Sequence, residues 1–136
     1  MLIDTNVWSE LTRLRPEPRV IAFLAGNRER CLLSTIVLAE MEYGIAKATD
    51  PTRRSRLIAF RDRVRTICGD RIVTPDETTA AIWGRLKAQL EKSGETIADM
   101  DLLIASQAIG AGAPLVTRNL SDMARTGAAI INPWES

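Results

Sequence analysis

A single α/β domain with a parallel sheet is the fold class this sequence predicts, on three observations. Its 136 residues suit one buried core and not two. Apolar residues make up 46% and charged residues 26%, the balance of an ordinary globular chain rather than a disordered or repetitive one. Short apolar runs of strand length alternate with longer helical stretches, as in parallel strands covered by helices. The expected domain spans residues 1–136.

Leu2-Ile3 reads as the end of a first buried strand that Asp4 closes. Asp4-Thr5 then starts a helix through Asn6 to Leu14, until Pro16 and Pro18 break the pattern. Pro18 opens a second helix through Val20, Ile21, Phe23 and Leu24, ending near Gly26-Asn27. Cys31-Leu32-Leu33 forms the next strand, and Ser34 or Thr35 caps a third helix carrying Ile36, Leu38, Met41 and Ile45. Asp50-Pro51 opens a fourth helix, followed by a strand candidate at Arg71-Ile72-Val73. Asp76 caps a long helix containing Ile82, Trp83, Leu86 and Leu90, with Gly94 as its terminator, and a further helix starts near Asp99. Pro114-Leu115-Val116-Thr117 and Ala129-Ile130-Ile131 complete the strands.

Composition narrows the chemistry. There is no histidine, so triads and zinc sites that need an imidazole are excluded, and catalysis must come from carboxylates. Cys31 and Cys68 form no CxxC pair, which points to neither a zinc knuckle nor a disulfide framework and fits a reducing cytoplasm. No apolar stretch approaches the ~20 residues of a membrane span, and Met1-Leu2-Ile3-Asp4 does not begin a signal peptide, so a cytoplasmic protein is expected.

The net charge of +1 hides an asymmetry. From Arg53 to Arg71 seven arginines (Arg53, Arg54, Arg56, Arg61, Arg63, Arg65 and Arg71) face only Asp62 and Asp70. Such a patch suits phosphate, and it equally suits a solvated helix face. With only two Phe, one Tyr and three Trp, any nucleic-acid contact is expected to fall mostly on the backbone.

In parallel sheets ligands bind beyond the carboxyl ends of the strands. Asp4 follows the first strand, and Asn119 and Asp122 follow the strand at Leu115–Thr117, while Asp99 and Asp101 occupy the first turn of a helix. Glu40 and Glu42 sit within an otherwise apolar helix, on opposite flanks of its most apolar face, so helical spacing does not choose between them. Asp4, Asp99, Asp101, Asn119 and Asp122 are each explained singly by capping, the helix dipole or a turn, whereas a charge at Glu40 or Glu42 needs a reason; no position alone is diagnostic. Together they suit one crevice whose mutual repulsion calls for a cation. Oxygen ligands without His or thiolate select Mg²⁺ or Mn²⁺, and such a centre matches phosphodiester hydrolysis.

The opening Met1-Leu2-Ile3-Asp4-Thr5-Asn6-Val7, the segment Leu33-Ser34 to Glu40 and Gly44, the run Asp101-Leu102-Leu103-Ile104-Ala105, and Leu115-Val116-Thr117-Arg118-Asn119 closing on Asn132-Pro133-Trp134 resemble a PIN-domain ribonuclease. Within that family the chain is most similar to VapC-type toxins, including the FitB-like branch. The resemblance covers essentially the whole chain. It implies a five-stranded parallel sheet flanked by helices, Mg²⁺- or Mn²⁺-dependent RNA cleavage, and neutralisation by a cognate VapB-type antitoxin. It places the first acid at Asp4, the second at Glu40, which precedes Tyr43-Gly44 at the usual spacing, and the third at Asp101; Glu42 and Asp99 are secondary candidates.

The fourth position departs from the pattern: where many members carry an acid this chain has Asn119, with Asp122 three residues later. Thr5 and Ser34 match small hydroxyl positions that support the acids or a water. The leading expectation is an RNA endonuclease of a VapBC-type toxin–antitoxin pair. In it Asp4 and Asp101 bind the metal, Glu40 and Asp122 position water or a second ion, and arginines engage RNA phosphates. The apolar helices near the N-terminus suit a homodimer or an antitoxin groove. Two other readings stay open. One is a phosphatase with Asp4 as phosphoacceptor, against which Asn6 replaces the second acid of that motif. The other is an RNA-binding module without turnover, which the altered fourth position keeps in play.

Overall fold

The computed structural model describes residues 1–135 and contains five two-residue strands, β1 (Leu2–Ile3), β2 (Leu33–Ser34), β3 (Ile72–Val73), β4 (Leu115–Val116) and β5 (Ile130–Ile131). Seven α-helices separate them: α1 (Thr5–Trp8), α2 (Pro18–Gly26), α3 (Thr35–Lys47), α4 (Pro51–Cys68), α5 (Glu77–Lys92), α6 (Asp99–Gly110) and α7 (Leu120–Met123). All pairings are parallel, in the order β1–β4–β5 in one ladder and β2–β3 in another. The expected single sheet is therefore divided. A lone parallel bridge, Leu2 to Leu32, joins the halves and sets the spatial order β3–β2–β1–β4–β5.

Strands β1, β2 and β3 thus lie successively to one side of the sheet, and β4 and β5 to the other. The direction of winding reverses between β1 and β4, where parallel sheets open a crevice at their carboxyl ends. Leu2, Ile3, Leu33, Leu115 and Val116 are at most 1% exposed, so these strands are covered on both faces.

The caps read from the sequence form. Ser34 Oγ accepts from the Ile36 amide at 3.1 Å, Asp50 from Thr52 at 3.2 Å and Asp76 from Thr79 at 2.9 Å. Gly94, just beyond α5, adopts φ +70°, a conformation that favours glycine.

Two expectations need correction. The helix expected over Asn6 to Leu14 is instead the single turn α1 followed by a 3₁₀ turn at Ser9–Thr12. There the Ser9 hydroxyl donates at 2.8 Å to the Thr5 carbonyl, which also accepts the Ser9 N–H, and the Thr12 hydroxyl donates to the Ser9 carbonyl at 2.7 Å, so side chains share the backbone acceptors of this segment. The strands are also shorter than the apolar runs that predicted them. Cys31 and Leu32 precede β2, and β4 begins only after Pro114, which has no N–H to extend the ladder but accepts from the Leu2 amide at 2.8 Å.

Candidate active site

Parallel pairing aligns Leu2 with Leu115 and Ile3 with Val116, which brings the next residues, Asp4 and Thr117, together at the carboxyl ends of neighbouring strands. Asp4 is 5% exposed and caps α1. Its Oδ1 accepts from the Thr5 amide at 2.7 Å, and its Oδ2 accepts from the Thr117 hydroxyl at 2.8 Å and the Asn6 amide at 3.1 Å. Asn6 is held in turn by the backbone N–H of Arg118, which donates to its Oδ1 at 3.1 Å. The Asn119 N–H donates to the Thr117 hydroxyl at 3.0 Å, so both sides of the strand junction are cross-linked around one carboxylate.

Glu40 joins this corner through Thr5, whose hydroxyl donates to Glu40 Oε1 at 2.8 Å. Glu42 is directed elsewhere and pairs with Arg61 of α4 at 2.6 Å. Two acids that helical periodicity leaves equivalent are thus distinguished by their partners on other elements. The two acids opening α6 divide in the same way: Asp99 pairs with Lys87 of α5 at 2.7 Å, whereas Asp101 has no hydrogen-bonding or ionic partner among the described residues.

Asp122 receives the Arg125 guanidinium at 2.6 Å, and the Asn119 side-chain amide stands 3.5 Å from its other oxygen. Arg125 also reaches Glu95 at 3.4 Å and the Thr96 carbonyl at 3.2 Å, tying α7 to the loop before α6.

The acids feel one another. Burial pushes the Asp4 carboxyl above its ordinary range despite the hydrogen bonds from Thr117, Thr5 and Asn6. Glu40 is raised first by burial and then by the charges of Asp4 and Asp101, against the opposing Thr5 bond. Asp101 is raised by burial and by the charges of Asp4 and Asp122. Among the described residues no three acids, cysteines or histidines form a ready-made metal cluster. Carboxylates that repel do not close up on their own. The donors are nevertheless all oxygens, they destabilise one another's charge, and Asp101 lacks a protein donor, a set that fits a hard divalent cation.

Residues 1–128 match the family model for the PIN domain. The chain belongs to the PIN-domain family. Within it the chain is a VapC-family member, 33% identical to the "VapC ribonuclease Y4jK" of Sinorhizobium fredii over 99% of this chain and 98% of that one. The crystal structure of FitAcB from Neisseria gonorrhoeae is similar at a TM-score of 0.88 and 31% identity, over 99% of both chains. The structure of VapBC2 from Rickettsia felis bound to a fragment of promoter DNA follows at a TM-score of 0.80 and 26% identity, over 96% of both chains.

The PIN fold here uses residues that sequence reasoning did not single out as site groups. Asn6 and Thr117 build the corner around Asp4, and the available signal was that both are polar, Thr117 closing β4 and Asn6 lying in the helical turn that follows β1. Ser34, by contrast, is fully buried, caps α3 and donates to the Gln107 side-chain carbonyl, with no acid as a partner. The arginine patch is also only partly free. Arg61 bridges Glu42 and Asp62, Arg71 holds the carbonyls of Cys31, Arg28 and Ile67, and Arg54 holds that of Ala48. Arg53, Arg56, Arg63 and Arg65 are exposed and make no ion pair among the described residues. No helix among these residues is long and apolar enough to cross a membrane.

Proposed function

We propose that this chain is the toxin of a VapBC-type pair and hydrolyses RNA phosphodiester bonds with Mg²⁺ or Mn²⁺ held in the crevice between β1 and β4. One observation carries the reading: Asp4, Glu40 and Asp101 come from three separate elements, yet each has a carboxyl raised by burial, and the latter two also by neighbouring acids of the same group. Family likeness supports RNA as substrate and a VapB-type antitoxin as partner, since similar proteins are named VapC ribonuclease and VapBC2. A homodimer belongs to the same reading, as does a single domain over the full chain.

In this scheme Asp4 and Asp101 hold the ion. When bound, it offsets charge developing on the phosphodiester and makes an attacking water more acidic. Thr5 fixes one oxygen of Glu40, leaving the other to take the proton as water adds to phosphorus and a P–O bond to the leaving ribose oxygen breaks, that oxygen taking a proton from solvent to leave as a hydroxyl. Asn6 and Thr117 keep Asp4 from rotating, so its oxygens stay aimed without reorganisation. Asp122, with Asn119 beside it, orients water or a second ion at the rim.

The test uses purified protein and a defined RNA with Mg²⁺, Mn²⁺ or chelator. Scission only with metal, lost in Asp4→Asn and Asp101→Asn while the circular-dichroism spectrum is kept, is the expected outcome. Unchanged cleavage in both variants would remove this mechanism. RNA binding without scission would favour the binding module, and a trapped phosphoaspartate the phosphatase. The wild type should also gain about 2.7 kcal/mol of stability at a Mn²⁺ concentration a hundredfold above its dissociation constant.

A further inference from the structure

We propose that the RNA strand leaves the crevice over Tyr43 toward Arg53, with a base beside the scissile bond stacked on the Tyr43 ring and the next phosphates held by Lys47 and Arg53. The proposal rests on the ribonuclease reading above and gives its substrate a direction.

Three hollows lie in series along α3 and α4. The first, about 530 Å³, is lined by Thr5, Ala39, Glu40, Tyr43 and Met100 and so forms the outer wall of the acid crevice. The second, about 400 Å³, lies between Tyr43, Lys47, Asp50 and Arg53. The third, about 500 Å³, has Arg53, Arg56 and Arg63 beside an apolar floor of Leu11, Leu57 and Phe60. Tyr43 is a wall of the first two and Arg53 of the last two, so the hollows adjoin one another in a row, here called the furrow, that begins at a candidate catalytic acid.

Tyr43 follows Glu40 by one helical turn, on the same side of α3. Its ring is 66% exposed, so the fold does not need it for packing. The Lys47 ammonium lies 5.6 Å from the ring centroid, covering one face and leaving the opposite face for a base. Charge changes sign along the furrow. The second hollow has a single acid, Asp50, and its carboxylate already caps α4 through Thr52. The lysine and the unpaired Arg53 then face the solvent. Within the second hollow the walls between them, Gly44, Ala48 and Thr49, are small and present no large aliphatic side chain, so there the two cations favour a polyanion with flat bases.

Binding is read in chelator, so that nothing is cut, by fluorescence anisotropy of a labelled, unstructured adenosine-rich oligoribonucleotide. Tyr43→Leu should weaken binding about tenfold while Tyr43→Phe keeps it, because stacking needs the ring and not the hydroxyl. Lys47→Ala and Arg53→Ala should each lower the slope of log affinity against log salt by about 0.7, and the exposed Arg85→Ala on α5 should leave it unchanged. Melting curves at the wild-type temperature are expected for all, since these side chains are on the surface. If the wild type cuts RNA but Tyr43→Leu and Arg53→Ala keep affinity and slope, the path is wrong and the ribonuclease reading stands. Unchanged RNA affinity with loss of self-association would also overturn it, assigning the furrow to a second copy. If the wild type neither binds nor cuts RNA, both fall.

Discussion

On the β1/β4 side of the crevice Asp4 is 5% exposed and takes hydrogen bonds from Thr5, Asn6 and Thr117, whereas on the α6/α7 side Asp101 has no partner among the described residues and Asp122 is bound to Arg125. Both sides carry acids, but only one has its oxygens aimed by the fold. Strand register fixes the first, and a helix N-terminus merely presents the second. The contrast separates the acids by how they are held: Asp4 is clamped, Glu40 is fixed at one oxygen by Thr5, Asp122 is paired with Arg125, and Asp101 is left to be ordered by whatever neutralises it.

The comparison breaks first at Thr117. Replacing it with Val removes the hydroxyl from Asp4 and Asn119 while keeping the shape, and cleavage should fall about 10- to 100-fold, the usual cost of losing a group that orients a ligand. Activity within twofold of wild type, measured by initial rates on a defined RNA, would mean that Asp4 needs no clamp.

A smaller effect is expected at Arg125. Arg125→Ala frees Asp122 for the crevice and should tighten Mn²⁺ binding about two- to fivefold by titration calorimetry, in keeping with a half-exposed ion pair. Weaker Mn²⁺ binding would show instead that the guanidinium holds Asp122 where it is needed.

Smallest is a stability change at Asp101. Its carboxyl is raised in the folded chain, so folding is favoured while the group is protonated and loses that contribution as pH climbs past the ordinary 3.8 through the raised value. At pH 7 in chelator, Asp101→Asn should therefore melt about a few degrees above wild type, and the gain should vanish as pH falls toward 3.8. A lower melting temperature at pH 7 would reveal a partner for Asp101 that the geometry does not show.

Much of this was legible in the order of residues. Asp4, Asn119 and Asp122 follow strands and Asp99 and Asp101 open a helix, positions fixed by local patterning alone. What patterning could not do was rank neighbours. Glu40 and Glu42 share a helix, and they differ only because Arg61 lies on α4 beside one and Thr5 on α1 beside the other. The same holds for Asp99, claimed by Lys87 of α5. The arginine-rich stretch from Arg53 to Arg71 misled in part, because charge counting cannot see that Arg54 and Arg71 are spent on backbone carbonyls within the fold. The break between β1 and β2 was likewise hidden, since two-residue strands leave too little ladder to read from apolar runs.

The bond from Thr117 to Asp4 spans 113 positions of chain, and β4 is itself flanked by β5 at Ile130–Ile131. A nascent polypeptide still emerging from the ribosome therefore has Asp4 with its local donors Thr5 and Asn6, and lacks the donor from the neighbouring strand. On the ribonuclease reading proposed above, the order of synthesis acts as a safety catch, because the centre gains the Thr117 bond to Asp4 only when nearly all of the molecule has been made.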